Sequence, residues 1–161
     1  MSEGQKIVTN LWFESDAEEA VGWYTRVFDG EVVRISRYGP EGPGPEGAAM
    51  VIDFRLFGQR FSAINGYADF PFTEAISLLV QCDSQAEIDR YWGALLEGGG
   101  EAIQCGWLKD RYGLRWQIVP RKLERMLASD DREAAGRARK AMFGMKKIDL
   151  PALEEAYGGD S

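Results

Sequence analysis

Histidine is missing from all 161 residues of this chain. Its absence removes the commonest general base, the commonest metal ligand and every Ser-His-Asp or Cys-His catalytic arrangement. Cysteine is nearly as scarce. Two residues, Cys82 and Cys105, are too few for a disulfide framework, and the expectation is a reduced, cytoplasmic protein. No apolar run approaches the roughly 18 residues that span a bilayer. Met1-Ser2-Glu3-Gly4-Gln5-Lys6 does not have the form of a signal peptide, so no membrane partner is expected. Positive charge is in deficit as well. A net charge of −7 argues against nucleic acid as a partner.

What is present suits a packed core, since 45% of the residues are hydrophobic and 12% aromatic. Charge is unevenly placed. Residues 121–147 hold nine Lys/Arg against four Asp/Glu, whereas the first 120 hold ten against eighteen. The basic zone reads either as a solvated helix face or as a surface for self-association with the acidic body.

The chain echoes itself. Phe57-Gly58-Gln59-Arg60-Phe61-Ser62-Ala63-Ile64 matches Tyr112-Gly113-Leu114-Arg115-Trp116-Gln117-Ile118-Val119 in character, position by position. Upstream, Leu11-Trp12-Phe13-Glu14-Ser15-Asp16 and Ser77-Leu78-Leu79-Val80-Gln81-Cys82-Asp83 each read as an apolar strand ending in a helix cap. The first pair is offset by 55 residues and the second by 67, and the difference is close to the Gly/Pro-rich tract 39–47. The pattern predicts two copies of a β-α-β-β-β unit, the first carrying an extra loop. That loop lacks the Lys-Ser/Thr of a phosphate cradle, and its prolines lack amide donors.

Strands are predicted over Lys6 to Glu14, Glu31 to Tyr38, Met50 to Phe57, Arg60 to Asn65, Ala75 to Gln81, Ala102 to Cys105 and Trp116 to Pro120. Gly58-Gln59 is the expected turn between the third and fourth. Gly106-Trp107-Leu108-Lys109 reads as a connector or a strand. Ser15-Asp16 and Asp83-Ser84 are the expected caps of the two module helices, with Asp130 and Asp149 capping helices beyond Pro120. The fold class is therefore α+β. It is a single domain over 1–161, with a first module over 5–66, a second over 74–120 and C-terminal helices over 121–161.

Paired modules of this kind resemble the vicinal oxygen chelate superfamily of glyoxalase, bleomycin-resistance and dioxygenase proteins. The closer similarity is to its PhnB-like branch, which carries the label 3-demethylubiquinone-9 3-methyltransferase domain. The residues that carry the resemblance are Leu11-Trp12-Phe13 with Ala17-Glu18-Glu19-Ala20, Asn65-Gly66, Gln104-Cys105-Gly106-Trp107-Leu108-Lys109-Asp110 and Trp116-Gln117-Ile118-Val119-Pro120. The tail Ala141-Met142 through Met145-Lys146-Lys147-Ile148-Asp149 belongs to it too. The resemblance implies sheets curved around a shared cup, and a homodimer. In metal-dependent members the first and last strand of each module supply ligands. Those positions here are Thr9, Ser62, Ile76 and Gln117, of which only Gln117 is a usual ligand type, so no metal is expected. No glycine fingerprint follows a strand with an acid about 20 residues on, so no nucleotide cofactor is expected either.

Gln117 is the leading site residue, and it reads either as a ligand contact or as a hydrogen-bonded core amide. Cys105, Trp107, Arg115, Thr9, Phe13 and Ser62 complete the candidate set. Each has a plain alternative: an inert thiol for Cys105 and Cys82, core packing for the aromatics, a carboxylate partner for Arg115 and Arg60. Asn65 reads as a turn former before Gly66. Two functions remain open. One is a metal-free protein that shelters a small, partly aromatic or lipophilic molecule. The other is an enzyme of open reaction type, for which the family label suggests group transfer to a quinone-like acceptor.

Overall fold

In the computed structural model, described here over residues 4–159, the chain divides between Pro71 and Phe72 into two compact units. Met1–Glu3 of the N-terminal reading and the last two residues of the C-terminal segment lie outside the described residues. No helix among those described is long and apolar enough to cross a membrane.

The first unit contains β1 (Thr9–Phe13), α1 (Ala17–Val27), β2 (Glu31–Arg37), β3 (Ala49–Leu56) and β4 (Gln59–Asn65). Its sheet has the order β1-β4-β3-β2, with β1 parallel to β4 and the other pairs antiparallel. Alternation sorts the side chains. Leu11, Phe13, Ile52, Phe54, Leu56, Phe61 and Ala63 are buried on the face that α1 covers with Ala17, Ala20, Val21 and Tyr24. Asn10, Trp12, Asp53, Ser62 and Ile64 take the other face, where burial is partial or absent.

The second unit repeats the plan with β5 (Ser77–Cys82), α2 (Gln85–Leu96), β6 (Glu101–Ala102), β7 (Trp107–Lys109) and β8 (Arg115–Pro120). Its sheet order, β5-β8-β7-β6, is the same arrangement. Val80, Cys82, Leu108, Trp116 and Ile118 pack beneath Ile88, Tyr91, Trp92 and Leu95 of α2. Three helices follow: α3 (Arg121–Leu127), α4 (Arg132–Phe143) and α5 (Leu150–Gly158). The α+β class and the paired β-α-β-β-β pattern read from the sequence are thus present.

Several boundaries differ, each for a local reason. The β3–β4 turn is Phe57-Gly58, not Gly58-Gln59, because a two-residue turn matched to strand twist needs positive φ at both positions. Phe57 has φ 51° and Gly58 φ 75°. The first strand does not start at Lys6. The Gln5 carboxamide instead bonds to both backbone groups of Arg60, at 3.2 and 3.1 Å, where a strand residue would have paired. The β6 strand ends at Ala102 because Cys105 and Gly106 turn the chain with φ 57° and 84°. Asp131, not Asp130, caps α4 through the Ala134 amide.

The two module helices begin differently. Ser84 caps α2 locally by accepting from the Glu87 amide at 3.2 Å. Asp16 makes no such bond in α1. The α1 start is held by Asn65, which accepts from the Ala17 amide at 2.8 Å and donates to the Ala49 carbonyl at 2.9 Å. The turn former of the sequence reading is therefore a buried clamp, 2% exposed, and Tyr38 donates to its carbonyl at 2.7 Å.

Candidate functional site

The sheet faces turned away from α1 and α2 carry the polar side chains. In the second unit, Gln117 on β8 donates from Nε2 to Ser77 Oγ on β5 at 2.9 Å. Trp107 on β7 is the direct cross-strand partner of Gln117, and Leu79 is its partner on β5. Arg115 lies on the same face two residues earlier, beside Lys109. Trp107, Gln117 and Ser77 are half-buried, and Leu79 remains 48% exposed. The result is one amide–hydroxyl pair between an indole and an aliphatic side chain. Gln117 Oε1 has no partner among the described residues. Whichever way the amide is turned, one polar end stays open, because the hydroxyl can bond either end.

The first unit has a counterpart. Asn10 Nδ2 donates to Ser62 Oγ at 3.1 Å, and the two residues are direct partners in the parallel β1–β4 ladder. Trp12 shares this face. Its indole N–H donates to the Ala68 carbonyl at 2.8 Å, and its ring lies 5.1 Å from that of Phe70. Gly66 lies directly beneath that indole: a Cβ there would come within 2.0 Å of it, so only glycine fits.

Of the candidate residues, Gln117, Trp107 and Arg115 come together on one face, and Ser62 occupies the matching face of the other unit. Arg115 is already engaged. Its guanidinium pairs with Glu74 and donates to the carbonyls of Phe72 and Gly113. Two positions need correction by one residue. Thr9 alternates with Asn10 and so falls on the α1 side with Leu11, and it is Asn10 that reaches Ser62. Ile76 precedes β5 and is 71% exposed, and it is Ser77 that reaches Gln117. Asn10 and Ser77 were legible in principle, since placing Leu11 and Phe13 in the core puts even-numbered β1 residues on the opposite face, and placing Val80 and Cys82 there does the same for odd-numbered β5 residues. Phe13 is core under α1.

Cys105 sits in the turn before β7 rather than on the sheet. Its amide donates to the Met145 carbonyl and that of Gly106 to the Lys146 carbonyl, both at 2.8 Å. The C-terminal segment thereby fastens the turn that leads into Trp107. Gly106 allows it, since a Cβ would stand 3.1 Å from Ile148 Cγ1 and 3.0 Å from the Ile118 carbonyl oxygen. Cys82 is fully buried, and burial pushes its thiol up to about 12, with Glu87 and Asp83 adding to the rise. Such a thiol is not a nucleophile at neutral pH.

Asp110 is a functional-looking group with a structural task. Its buried carboxylate, 1% exposed, accepts from Trp116 Nε1 at 2.9 Å and from the amides of Tyr112 and Leu114 at 2.8 and 3.1 Å. It therefore pins the loop before β8. Among the described residues no three His, Cys, Asp or Glu side chains converge as a metal site would require. The amide–hydroxyl pairs on the open faces are neutral, and the carboxylates beside them, Asp53 and Glu101, are ion-paired with Arg34 at 3.0 Å and Lys109 at 2.8 Å, a poor donor set for a divalent ion.

Residues 5–119 match the family described as 3-demethylubiquinone-9 3-methyltransferase. A PhnB protein from Bacillus cereus is 42% identical, with a TM-score of 0.67 over 72% of this chain and 99% of that one. A protein from Pseudomonas aeruginosa is 22% identical, with a TM-score of 0.60 over 71% of this chain and 96% of that one. A genomically encoded fosfomycin resistance protein from Listeria monocytogenes is 14% identical, with a TM-score of 0.51 over 71% and 90% of the two chains. The last two similarities concern the fold alone. No curated protein matches the chain.

Proposed function

The chain belongs to the 3-demethylubiquinone-9 3-methyltransferase family, the PhnB-like branch of the vicinal oxygen chelate proteins, and from that premise we propose that it binds a small, partly aromatic or lipophilic molecule without a metal. The observation that carries this reading is the Gln117–Ser77 pair. It offers one unsatisfied amide end between Trp107 and the half-exposed Leu79. An aromatic ligand gains area against the indole and a single hydrogen bond for orientation, the usual division of labour in a small-molecule site. The neutral donor set supports metal independence. Elemental analysis of gently purified protein is expected to find no stoichiometric transition metal, and chelator is expected to leave the melting temperature unchanged. A bound metal whose removal lowers it rejects that part of the reading.

The test of the site is Gln117→Leu. A thermal-shift screen supplies the best ligand, and calorimetric titration compares both proteins. Loss of the amide is expected to weaken binding by about 1–3 kcal/mol, the cost of a ligand group left unpaired, with little loss of fold stability. Unchanged affinity in the folded variant removes Gln117 from the site. The family's description favours a second reading, methyl transfer to a quinone-related acceptor. Incubation with a labelled methyl donor and a catechol-type acceptor tests it directly, and no transfer above the uncatalysed rate rejects it.

The same proposal includes a homodimer in the cytoplasm. Edge strand β2 exposes Val32 and Val33, a feature that self-association would cover. Closed two-fold pairs are the commonest soluble assembly.

A further inference from the structure

Strand β8 puts Arg115 on the open face of the second unit, two residues before Gln117 and level with Ser77 of β5 and Lys109 of β7. Backbone holds one side of its guanidinium: Nη1 donates to the carbonyls of Phe72 and Gly113 at 3.2 and 2.6 Å. Nη2 donates to Glu74 Oε1. Nε is enclosed and has no hydrogen-bond partner among the described residues. A buried N–H without an acceptor is uncommon in a folded protein and calls for an account. All of these groups belong to the second unit.

The pair with Glu74 is uneven. The Arg115 side chain is 14% exposed and that of Glu74 66%. An acid standing in water regains its hydration when it leaves, so the pair is easily exchanged. A guanidinium presents Nε and Nη2 along one edge, spaced for the two oxygens of a carboxylate. Glu74 uses Nη2 and leaves Nε unpaired. The two carbonyls on Nη1 hold the fork independently of Glu74, so an arriving anion meets a receptor already in place. Lys109 adds a second cation beside it, paired with the exposed Glu101 at 2.8 Å. Trp107 and Gln117 lie two residues further along their strands, a distance of about 7 Å at the usual strand rise. A two-ring aromatic acid spans that distance, with its carboxylate on Arg115 and its rings against the indole.

We propose that the Nε–Nη2 edge of Arg115 receives a carboxylate of the ligand, which takes the place of Glu74. The inference rests on the reading that the Gln117 face binds a small, partly aromatic molecule, and it adds that this molecule is an aromatic carboxylate. Glu74 is then an internal competitor. It occupies half of the receptor edge and returns to water when the ligand's two oxygens satisfy Nε and Nη2 together.

The test uses the full chain and two probes of one shape, 2-naphthoate and the neutral 2-naphthamide, at constant ionic strength. Calorimetric titration gives the affinities, and nitrogen-15 NMR follows the Arg115 Nε–H resonance, assigned through bonds from the Arg115 backbone. The acid is expected to bind about tenfold or more tightly than the amide, since its hydrogen bonds to the guanidinium are charge-assisted, and to move the Nε–H resonance downfield. Glu74→Gln removes the competitor at an exposed position, so it should tighten naphthoate several-fold and leave naphthamide unchanged. Arg115→Lys, checked for folding by circular dichroism, should abolish the preference for the acid. Equal affinities for the two probes in both wild type and Glu74→Gln overturn the proposal. So does naphthoate that binds without moving the Nε–H resonance, or that fails to bind Glu74→Gln at millimolar concentration. Gln117→Leu separates this result from the reading beneath it. If the acid has no advantage but naphthamide still weakens in Gln117→Leu, the small-molecule reading stands and the anion receptor falls. If naphthoate moves the Arg115 resonance and neither probe responds to Gln117→Leu, the receptor stands and Gln117 leaves the site.

Discussion

The two units share one topology and hold it together in different ways. Both run a parallel pair of outer and inner strands beside an antiparallel remainder. In the first unit the strands are long, five to eight residues, and meet through a two-residue turn. In the second, β6 and β7 have two and three residues. What the short strands lack is supplied from elsewhere: the Asp110 carboxylate behind β8, and the C-terminal segment on the Cys105-Gly106 turn. Ile148 is buried there, and Gln85 bridges the Ile148 carbonyl and the Leu150 amide at 3.0 and 2.7 Å. A β-sheet of few ladder bonds can stand if side chains and tail satisfy the backbone groups that the ladder leaves. The fastening of the helices is reversed between the units. α1 relies on Asn65, 48 residues away from Ala17, and α2 on its own Ser84.

The largest break in this comparison comes from Asp110→Ala. It strands a buried indole N–H and two backbone amides at once. A loss of about 3 kcal/mol or more is expected, since each buried donor left without a partner costs about 1–3 kcal/mol. Urea unfolding followed by tryptophan fluorescence reads the loss, and a change within error would show that water replaces the carboxylate. Asn65→Ala comes next. It unpairs the Ala17 amide and the Ala49 carbonyl in a buried place, and a cost of about 2–3 kcal/mol follows. Ser84→Ala, at a part-buried cap of the other helix, should cost only about 1 kcal/mol. Equal costs for the two would mean that the distant clamp is no stronger than a local cap.

The smallest effect separates the units by pH. Lys147 holds the Asp89 carboxyl below the ordinary carboxylate range, with Gln85 assisting, and Lys109 does the same for Glu101. A carboxylate depressed on folding contributes above its unfolded value and loses that contribution as pH falls through the lower, folded value. Asp89 ties α2 to the C-terminal segment, and Glu101 ties β6 to β7. Amide-exchange protection, corrected for the intrinsic pH dependence, should therefore fall in 145–150 and around β6 as pH drops through and below the ordinary carboxylate range. In the first unit Glu18 is lowered by Arg37 in the same way, but its long β2–β3 ladder should keep protection there. A uniform loss across both units would remove the distinction.

Much of this was readable in order along the chain. The alternation of Leu11 and Phe13, the helical spacing of Ala20, Trp23 and Tyr24, and the echo of Arg60-Phe61 in Arg115-Trp116 are local patterns. Local patterns determine element type and the repeat, because strand and helix periodicities are properties of neighbouring residues. Gln117 stands out on other grounds, as the one usual ligand type among the positions that the family resemblance implies, Thr9, Ser62, Ile76 and Gln117.

Other features depended on residues far apart in sequence. That Asn10 rather than Thr9 meets Ser62, and Ser77 rather than Ile76 meets Gln117, depends on how two parallel strands align, and a slip of one residue turns every side chain to the other face. That Asn65 holds a helix start, and that Arg115 is already taken by Glu74, depends on contacts 48 and 41 residues apart. That Cys105 belongs to a turn gripped by Met145 and Lys146 depends on a tail 40 residues downstream. A buried polar group must find its partner wherever the folded chain brings one, and no window of sequence contains that partner. The chain's own order therefore determined which elements form and in what sequence, while tertiary packing decided which polar side chains are paired and which keep an open hydrogen-bonding end.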